Sequence, residues 1–168
     1  MRASRNKARR HRVCLLLGSN IQPEENLRRA VELLREQFVV EKASAVWESP
    51  AVGSTGPDFL NAAIVIRTSL DPPQLKARFL RPLEAQLGRV RTADKNAPRT
   101  IDIDIIAWDA DLLDPAVWQH AHAAVPVAEL LPCYQSTETG EYLEQAARRL
   151  SGTTSMRARP DVWAGLFW

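Results

Sequence analysis

The sequence has little sulfur chemistry. Its two cysteines, Cys14 and Cys133, lie far apart, and neither has a second cysteine or a histidine at zinc-ligand spacing. That excludes a disulfide framework and a zinc-ribbon type of site. Both thiols are expected to be reduced and structural, as in a cytoplasmic protein. No apolar run is long enough to span a bilayer, so no membrane partner is expected. The basic start of the chain is followed by no apolar signal-peptide core. Acidic residues are missing from residues 1–12, which carry Arg2, Arg5, Lys7, Arg9, Arg10 and Arg12. Setting those six apart from the 22 Lys and Arg leaves 16 against 20 Asp and Glu, a net of −4. The formal charge of +2 therefore belongs to a tail, expected to be disordered, on a mildly acidic folded part. Aromatic pairs on a basic sheet, as RNA-binding sheets use, are also missing, so no specific nucleic-acid partner is expected.

What remains suits one domain with a real core, over residues 13–150, followed by a C-terminal tail over 151–168. Val13–Leu17 is a continuous apolar run, expected to be a strand covered on both faces and ended by Gly18-Ser19-Asn20. Pro23 opens an amphipathic helix to about Phe38, and Val39–Trp47 reads as a second strand. Ser49–Pro57 is a loop rich in glycine and proline, and Asp58–Ile66 a third strand. Asp71 is placed to cap a helix opened by Pro72 and stopped at Gly88, with Pro82 inside it to kink or shift its geometry. Ile101–Ile106 is a fourth strand, and Tyr142–Leu150 a short terminal helix. The order predicts an α+β fold: a ferredoxin-like βαββαβ sandwich with an antiparallel sheet and a C-terminal helical extension.

The stretch Ile101-Asp102-Ile103-Asp104-Ile105-Ile106 alternates with period two, so Asp102 and Asp104 share a face while Ile101, Ile103 and Ile105 point into a core. Paired carboxylates repel unless a cation lies between them, and Mg²⁺ takes one or two carboxylates with water and phosphate completing its shell. Arg99, just before the strand, could grip a phosphate. An edge strand with a solvated acidic face is the other reading. Asn61 is an amide in an apolar strand and shares its face with Phe59. Either it bonds to loop backbone or it reads the edge of a heterocycle stacked on Phe59.

Taken together, Gly18-Ser19-Asn20, Pro50 to Pro57 with Asp58-Phe59-Leu60-Asn61-Ala62, Leu87-Gly88-Arg89-Val90-Arg91, and Lys95-x-Ala97-Pro98-Arg99-x-x-Asp102-Ile103-Asp104-Ile105-Ile106 resemble the 6-hydroxymethyl-7,8-dihydropterin pyrophosphokinase family. The resemblance runs from about Val13 to Trp108, and its last motif is specific to that family. It implies Mg²⁺-dependent transfer of pyrophosphate from ATP to the hydroxymethyl oxygen of the pterin, releasing AMP, in folate biosynthesis. By that analogy, Asp102 and Asp104 hold two Mg²⁺ ions. Arg89, Arg91 and Arg99 stabilise phosphate charge, the last two at the nucleotide with Glu84 and Ile105. Asn61 reads the pterin edge, Phe59 lies by its ring, and Pro50 and Val52 supply loop backbone. The substrates are small molecules and a monomer is expected, with the C-terminal aromatics as the surface through which an oligomer would form.

After Trp108 the chain departs from the family pattern. The Pro-His pair expected there is absent, and the segment is short. Counting back from Pro126 sets His120 against an expected Arg and His122 against an expected Phe on the second wall of the pterin site. Asn96 replaces a bulky aromatic, and Arg81 stands where a glutamine is expected. An imidazole at His122, titrating near its ordinary value, predicts a pterin affinity that changes across about pH 5.5–7.5. A divergent pterin-binding paralogue with weak activity or another donor, and a nucleic-acid-binding module, are the alternatives.

Overall fold

β1 (His11–Ser19) is the strand on which the others are laid, in a computed structural model that describes residues 9–167. Val13, Leu15 and Leu17 point to one face and Cys14 and Leu16 to the other, and all five are buried. Such a strand needs cover on both sides, and it gets it. α1 (Pro23–Gln37) lays Leu27, Val31 and Leu34 on the first face. β2 (Val39–Ala43), β3 (Trp47–Ser49) and β4 (Phe59–Thr68) follow. α2 (Pro72–Leu75) runs through a π-helical turn (Lys76–Leu80) into α3 (Arg81–Gln86). β5 (Asp102–Trp108) and the short β6 (Asp111–Leu112) return to the sheet. A 3-10 turn (Pro115–Trp118), α4 (Ala121–Leu130) and α5 (Leu143–Ser151) cover the second face. β7 (Arg157–Ala158) and a 3-10 turn (Pro160–Trp163) close the described chain.

The sheet is antiparallel, in the order β6-β5-β1-β4-β3-β7, with β2 also paired to β4. One expected strand, Val39–Trp47, is in fact two. Between them Ser44 turns inward, and its hydroxyl accepts the N–H of Ala63 at 2.9 Å while its own N–H donates to the Ala63 carbonyl at 2.9 Å. The side chain thus replaces a ladder bond where the strand breaks. The first strand starts at His11, because His11 and Arg12 pair with Thr68 and Arg67 and are held by Asp109. The basic tail expected through residue 12 is therefore cut back, and residues 1–8 lie outside the described residues.

The helix from Pro72 to Gln86 has the expected cap: Asp71 accepts the N–H of Gln74, and Gln74 accepts that of Asp71. Pro82 has no N–H to give to Arg78, and its ring crowds that carbonyl. The chain answers by widening one turn, so that the N–H of Arg81 reaches back to Lys76. Gly88 ends the helix with φ 84°, as the left-handed cap requires.

α4 was not expected. It is apolar almost all round, being packed between sheet and α5, and it carries Pro126 in its interior. Of the C-terminal aromatics, Trp163 is fully buried in the first core, with its indole N–H donating to the Ser44 carbonyl at 2.9 Å. Phe167 packs edge-on against Trp163, beneath Arg35. Trp168 lies outside the described residues. Cys14 is buried, which pushes its thiol up to about 12, but Cys133 is exposed rather than structural.

Candidate active site

Strand register brings the site together. Gly18 pairs with Asn61 on one side and with Asp102 on the other. One step along the same face, Leu16 lies between Ala63 and Asp104. α4 and α5 cover this face at its Cys14–Val65 end and leave the Gly18 end open. His122, in the first turn of α4, stands at the boundary. The result is a cavity of about 230 Å³ whose lining includes Pro50, Val52, Phe59, Asn61 and His122, with Asp102, Asp104 and Arg99. A second cavity of about 260 Å³ adjoins it, lined by Arg89, Arg91 and Arg99. Lys95, Arg99, Asp102 and Asp104 line both.

Asn61 is buried, and its amide N–H donates to Ser49 Oγ at 3.3 Å. A Cβ on Gly18 would lie 2.9 Å from Asn61 Oδ1, so only glycine leaves room for the amide. A flat apolar wall at Phe59 beside an amide that both donates and accepts can hold a heterocycle by face and edge.

Arg99 donates to Asp102 Oδ2 at 2.8 Å and to the Lys95 carbonyl, and lies 5.8 Å from the centre of the Phe59 ring. Arg89 lies 3.9 Å from Asp102 Oδ1. The Nε atoms of Arg89 and Arg99 are buried with no protein partner. The second cavity, with three arginines on its wall, is suited to an anion. Asp104 opens to the cavities but is crowded by protein. Loss of water, then the charges of Asp102, Asp114 and Glu84, push its carboxyl up to about 6. Paired carboxylates with one proton affinity raised by crowding are a donor set suited to a divalent cation.

Glu84 lies beneath. One of its oxygens accepts the N–H of Ile103 at 2.9 Å, on the open edge of β5, and the other accepts from Arg91 at 2.8 Å. Burial holds its carboxyl above the usual range. Glu84 and Ile105 line neither cavity. Ile105 packs against the first core.

The structure also gives contacts to residues that the sequence named without assigning those contacts. Asn20 ties three segments: its N–H donates to the Arg99 carbonyl at 3.1 Å, its Oδ1 accepts the Arg99 N–H at 2.8 Å, and its Nδ2 donates to the Pro57 carbonyl at 3.2 Å. A buried amide straight after an apolar strand was the available signal. Asn96 links the loops, donating to the Gly53 carbonyl at 3.4 Å, and Lys95 lines both cavities. His122 stacks on His120, with centroids 5.3 Å apart. Its burial, then the neighbouring His120, lowers it to about 4, against the expectation of ordinary titration.

Residues 14–132 match the family model for 7,8-dihydro-6-hydroxymethylpterin-pyrophosphokinase. The 2-amino-4-hydroxy-6-hydroxymethyldihydropteridine pyrophosphokinase of Synechocystis sp. is 30% identical over 166 residues, covering 92% of this chain and 84% of that protein. The enzyme of the same name from Bacillus subtilis is 31% identical over 148 residues, 81% of this chain and 87% of that protein. That of Methylorubrum extorquens is 41% identical over 133 residues, 72% and 83% respectively.

Proposed function

Because the chain belongs to the 7,8-dihydro-6-hydroxymethylpterin-pyrophosphokinase family, we propose that its two adjoining cavities are the two substrate sites of that reaction. The protein transfers pyrophosphate from ATP to the hydroxymethyl group of 6-hydroxymethyl-7,8-dihydropterin in folate biosynthesis. The pterin occupies the cavity of Phe59 and Asn61, the triphosphate that of Arg89, Arg91 and Arg99. The observation that carries this assignment is the shared wall: Asp102 and Asp104 border both cavities.

The new bond joins the hydroxymethyl oxygen to the β-phosphorus of ATP. The bond from that phosphorus to the bridging oxygen breaks, AMP leaves with the electron pair, and the hydroxyl proton passes to solvent. Asn61 fixes the pterin by its edge, with Ser49 orienting the amide and Phe59 holding the ring. Pro50 and Val52 close the loop side, and His122 the α4 side. Arg89 and Arg99 direct their buried guanidinium groups at phosphate oxygens, and Arg91, oriented by Glu84, adds a third cation. Asp102 and Asp104 would hold two Mg²⁺ ions, which would supply positive charge against the triphosphate. No side-chain base is needed, since positioning and fixed charge carry the step. The test is whether AMP forms from ATP only when hydroxymethyl-dihydropterin and Mg²⁺ are both present.

With β2 and β3 taken as one interrupted strand, the order β5-β1-β4-β2/β3 is that of a ferredoxin-like βαββαβ sandwich. The C-terminal aromatics Trp163 and Phe167 are spent within the chain, which favours a monomer. The free thiols fit a reducing cytoplasm.

Two variants probe the pterin walls. Gly18→Ala puts a methyl group 2.9 Å from Asn61 Oδ1. The amide must swing away, and pterin affinity is expected to fall about tenfold with ATP-analogue affinity unchanged. Equal pterin affinity would mean that Asn61 does not read the ring. At His122, a neutral imidazole above about pH 4 means pterin affinity that is flat across pH 5.5–7.5. Since the folded value lies below the unfolded one, stability from this group is present above about 6.5 and is lost as pH falls towards 4. His122→Phe is expected to bind pterin more tightly and to lose less stability on acidification. Calorimetric titrations and melting curves at pH 7.5, 5.5 and 4.5 check both. A wild-type affinity that changes between 7.5 and 5.5 and is flat in His122→Phe would reject the neutral wall.

A further inference from the structure

The C-terminal segment lies beyond the residues matched by the family model, yet it is joined to the pterin side of the site. β3 is three residues long and ends in Ser49, the partner of Asn61. Alone beside β4, so short a strand is weakly held. It is flanked instead by β7, with Trp47 opposite Ala158 and Glu48 opposite Arg157. The N–H of Arg159 donates to the Val46 carbonyl at 2.8 Å. The Arg159 guanidinium, only 19% exposed, donates to Glu48 at 2.7 Å, to Glu24 on α1 at 3.0 Å and to Asp161 at 2.8 and 3.0 Å. Arg157 takes the other Glu48 oxygen at 2.8 Å. Trp163 then anchors the segment in the core. A small cleft of about 140 Å³ shared by Thr153, Thr154, Pro50, Val52 and His122 lets the same segment border the loop that follows Ser49.

We infer that residues 157–163 are a positioning element for pterin recognition, acting through the Arg159–Glu48 pair on β3 and thus on Ser49, Asn61 and the Pro50–Val52 loop. The inference rests on the pterin assignment proposed above. Arg159 touches no substrate. It fixes the strand from which the amide's partner and the loop both start. The arginine cavity is lined by residues of the Arg89–Arg99 loop and of β5, neither of which β7 pairs with, so the nucleotide side is insulated from it.

The experiment titrates the full chain with 6-hydroxymethylpterin, and separately with a non-hydrolysable ATP analogue plus Mg²⁺. Arg159→Met is expected to raise the pterin Kd about tenfold and KM for the pterin likewise, with kcat at saturation and the ATP-analogue Kd within about twofold of wild type. Arg159→Lys, which keeps the charge but not the fork, falls between. Arg67→Met removes a comparable pair with Glu41 at the far end of β4 and changes neither ligand's affinity. Should Arg159→Met not fold, Glu48→Gln reads the same clamp from the other side and keeps the shape. A pterin Kd within about twofold of wild type in whichever variant folds, or equal losses for both ligands, overturns the inference. If Asn61→Ala also leaves pterin binding unchanged, it is the pterin assignment that has failed instead.

Discussion

Asp104→Asn is expected to abolish Mg²⁺-dependent pyrophosphoryl transfer and to make the protein more stable at pH 8. Both effects come from one arrangement. Asp104 lies two residues from Asp102 on the same strand face, facing both cavities, with Asp114 and Glu84 adding negative charge nearby. On the proposed metal assignment, removing one of the two carboxylates forfeits charge stabilisation worth several kcal/mol in the transition state, so turnover is expected to fall by about 10³-fold or more. In the absence of metal the same carboxylate is a liability. Its proton affinity is raised in the fold, to about 6 from an ordinary 3.8. The ionised form is thus the disfavoured one in the native state. Above about pH 6 the native protein carries that penalty, and below 3.8 both states are protonated and it vanishes. The stability gain of Asp104→Asn is therefore largest at pH 8, shrinks as pH falls through 6, and is gone near pH 4. Melting curves in EDTA across that range, with AMP release assayed at pH 8, check the pair of effects. Retained Mg²⁺-dependent turnover in the Asp102→Asn, Asp104→Asn double variant would remove the metal assignment.

The second large effect is expected at Asn61. On the proposed pterin assignment, Asn61→Ala deletes the donor and acceptor offered to the pterin edge, and it leaves Ser49 Oγ without its amide partner. Two hydrogen bonds in a desolvated site, each worth about 1–1.5 kcal/mol net, amount to about a hundredfold in pterin affinity. The ATP-analogue affinity stays at the wild-type value, because the arginine cavity does not include Asn61. Calorimetry with each ligand separates these outcomes. Unchanged pterin affinity would make Asn61 a structural residue whose partner is Ser49.

Much of this site was legible in the sequence because it is written in strand periodicity. Asp102 and Asp104, or Phe59 and Asn61, share a face by the rule of two, whereas Gly18, expected to end the first strand, is paired within it and leaves room for Asn61. The cap at Asp71 and the disturbance at Pro82 were legible for the same reason: each follows from a residue's own backbone chemistry. What was not legible depends on tertiary cover. α4 is apolar on nearly every side and holds Pro126, so neither a helical stripe nor a helical propensity announces it. The break at Ser44 depends on Ala63, nineteen residues on, and the value of His122 depends on how deeply α4 seats it. Asn20 and Arg159 act across the chain, and pairing over such distances leaves no local trace.

The π-helical turn at Lys76–Leu80 can also be seen as a phase setting. An α-helix advances about 100° per residue, and a π turn absorbs one residue more than the α repeat without lengthening the run by a full step. Glu84 lies downstream of that extra residue, where it meets the Ile103 N–H and Arg91. Were the same residues wound as a regular α-helix, Glu84 would be turned by about 100°, away from β5. The irregularity is thus a one-residue offset between the core-facing clock of the helix and the strand edge it serves. Pro82, by disfavouring the regular alternative, keeps the two in register.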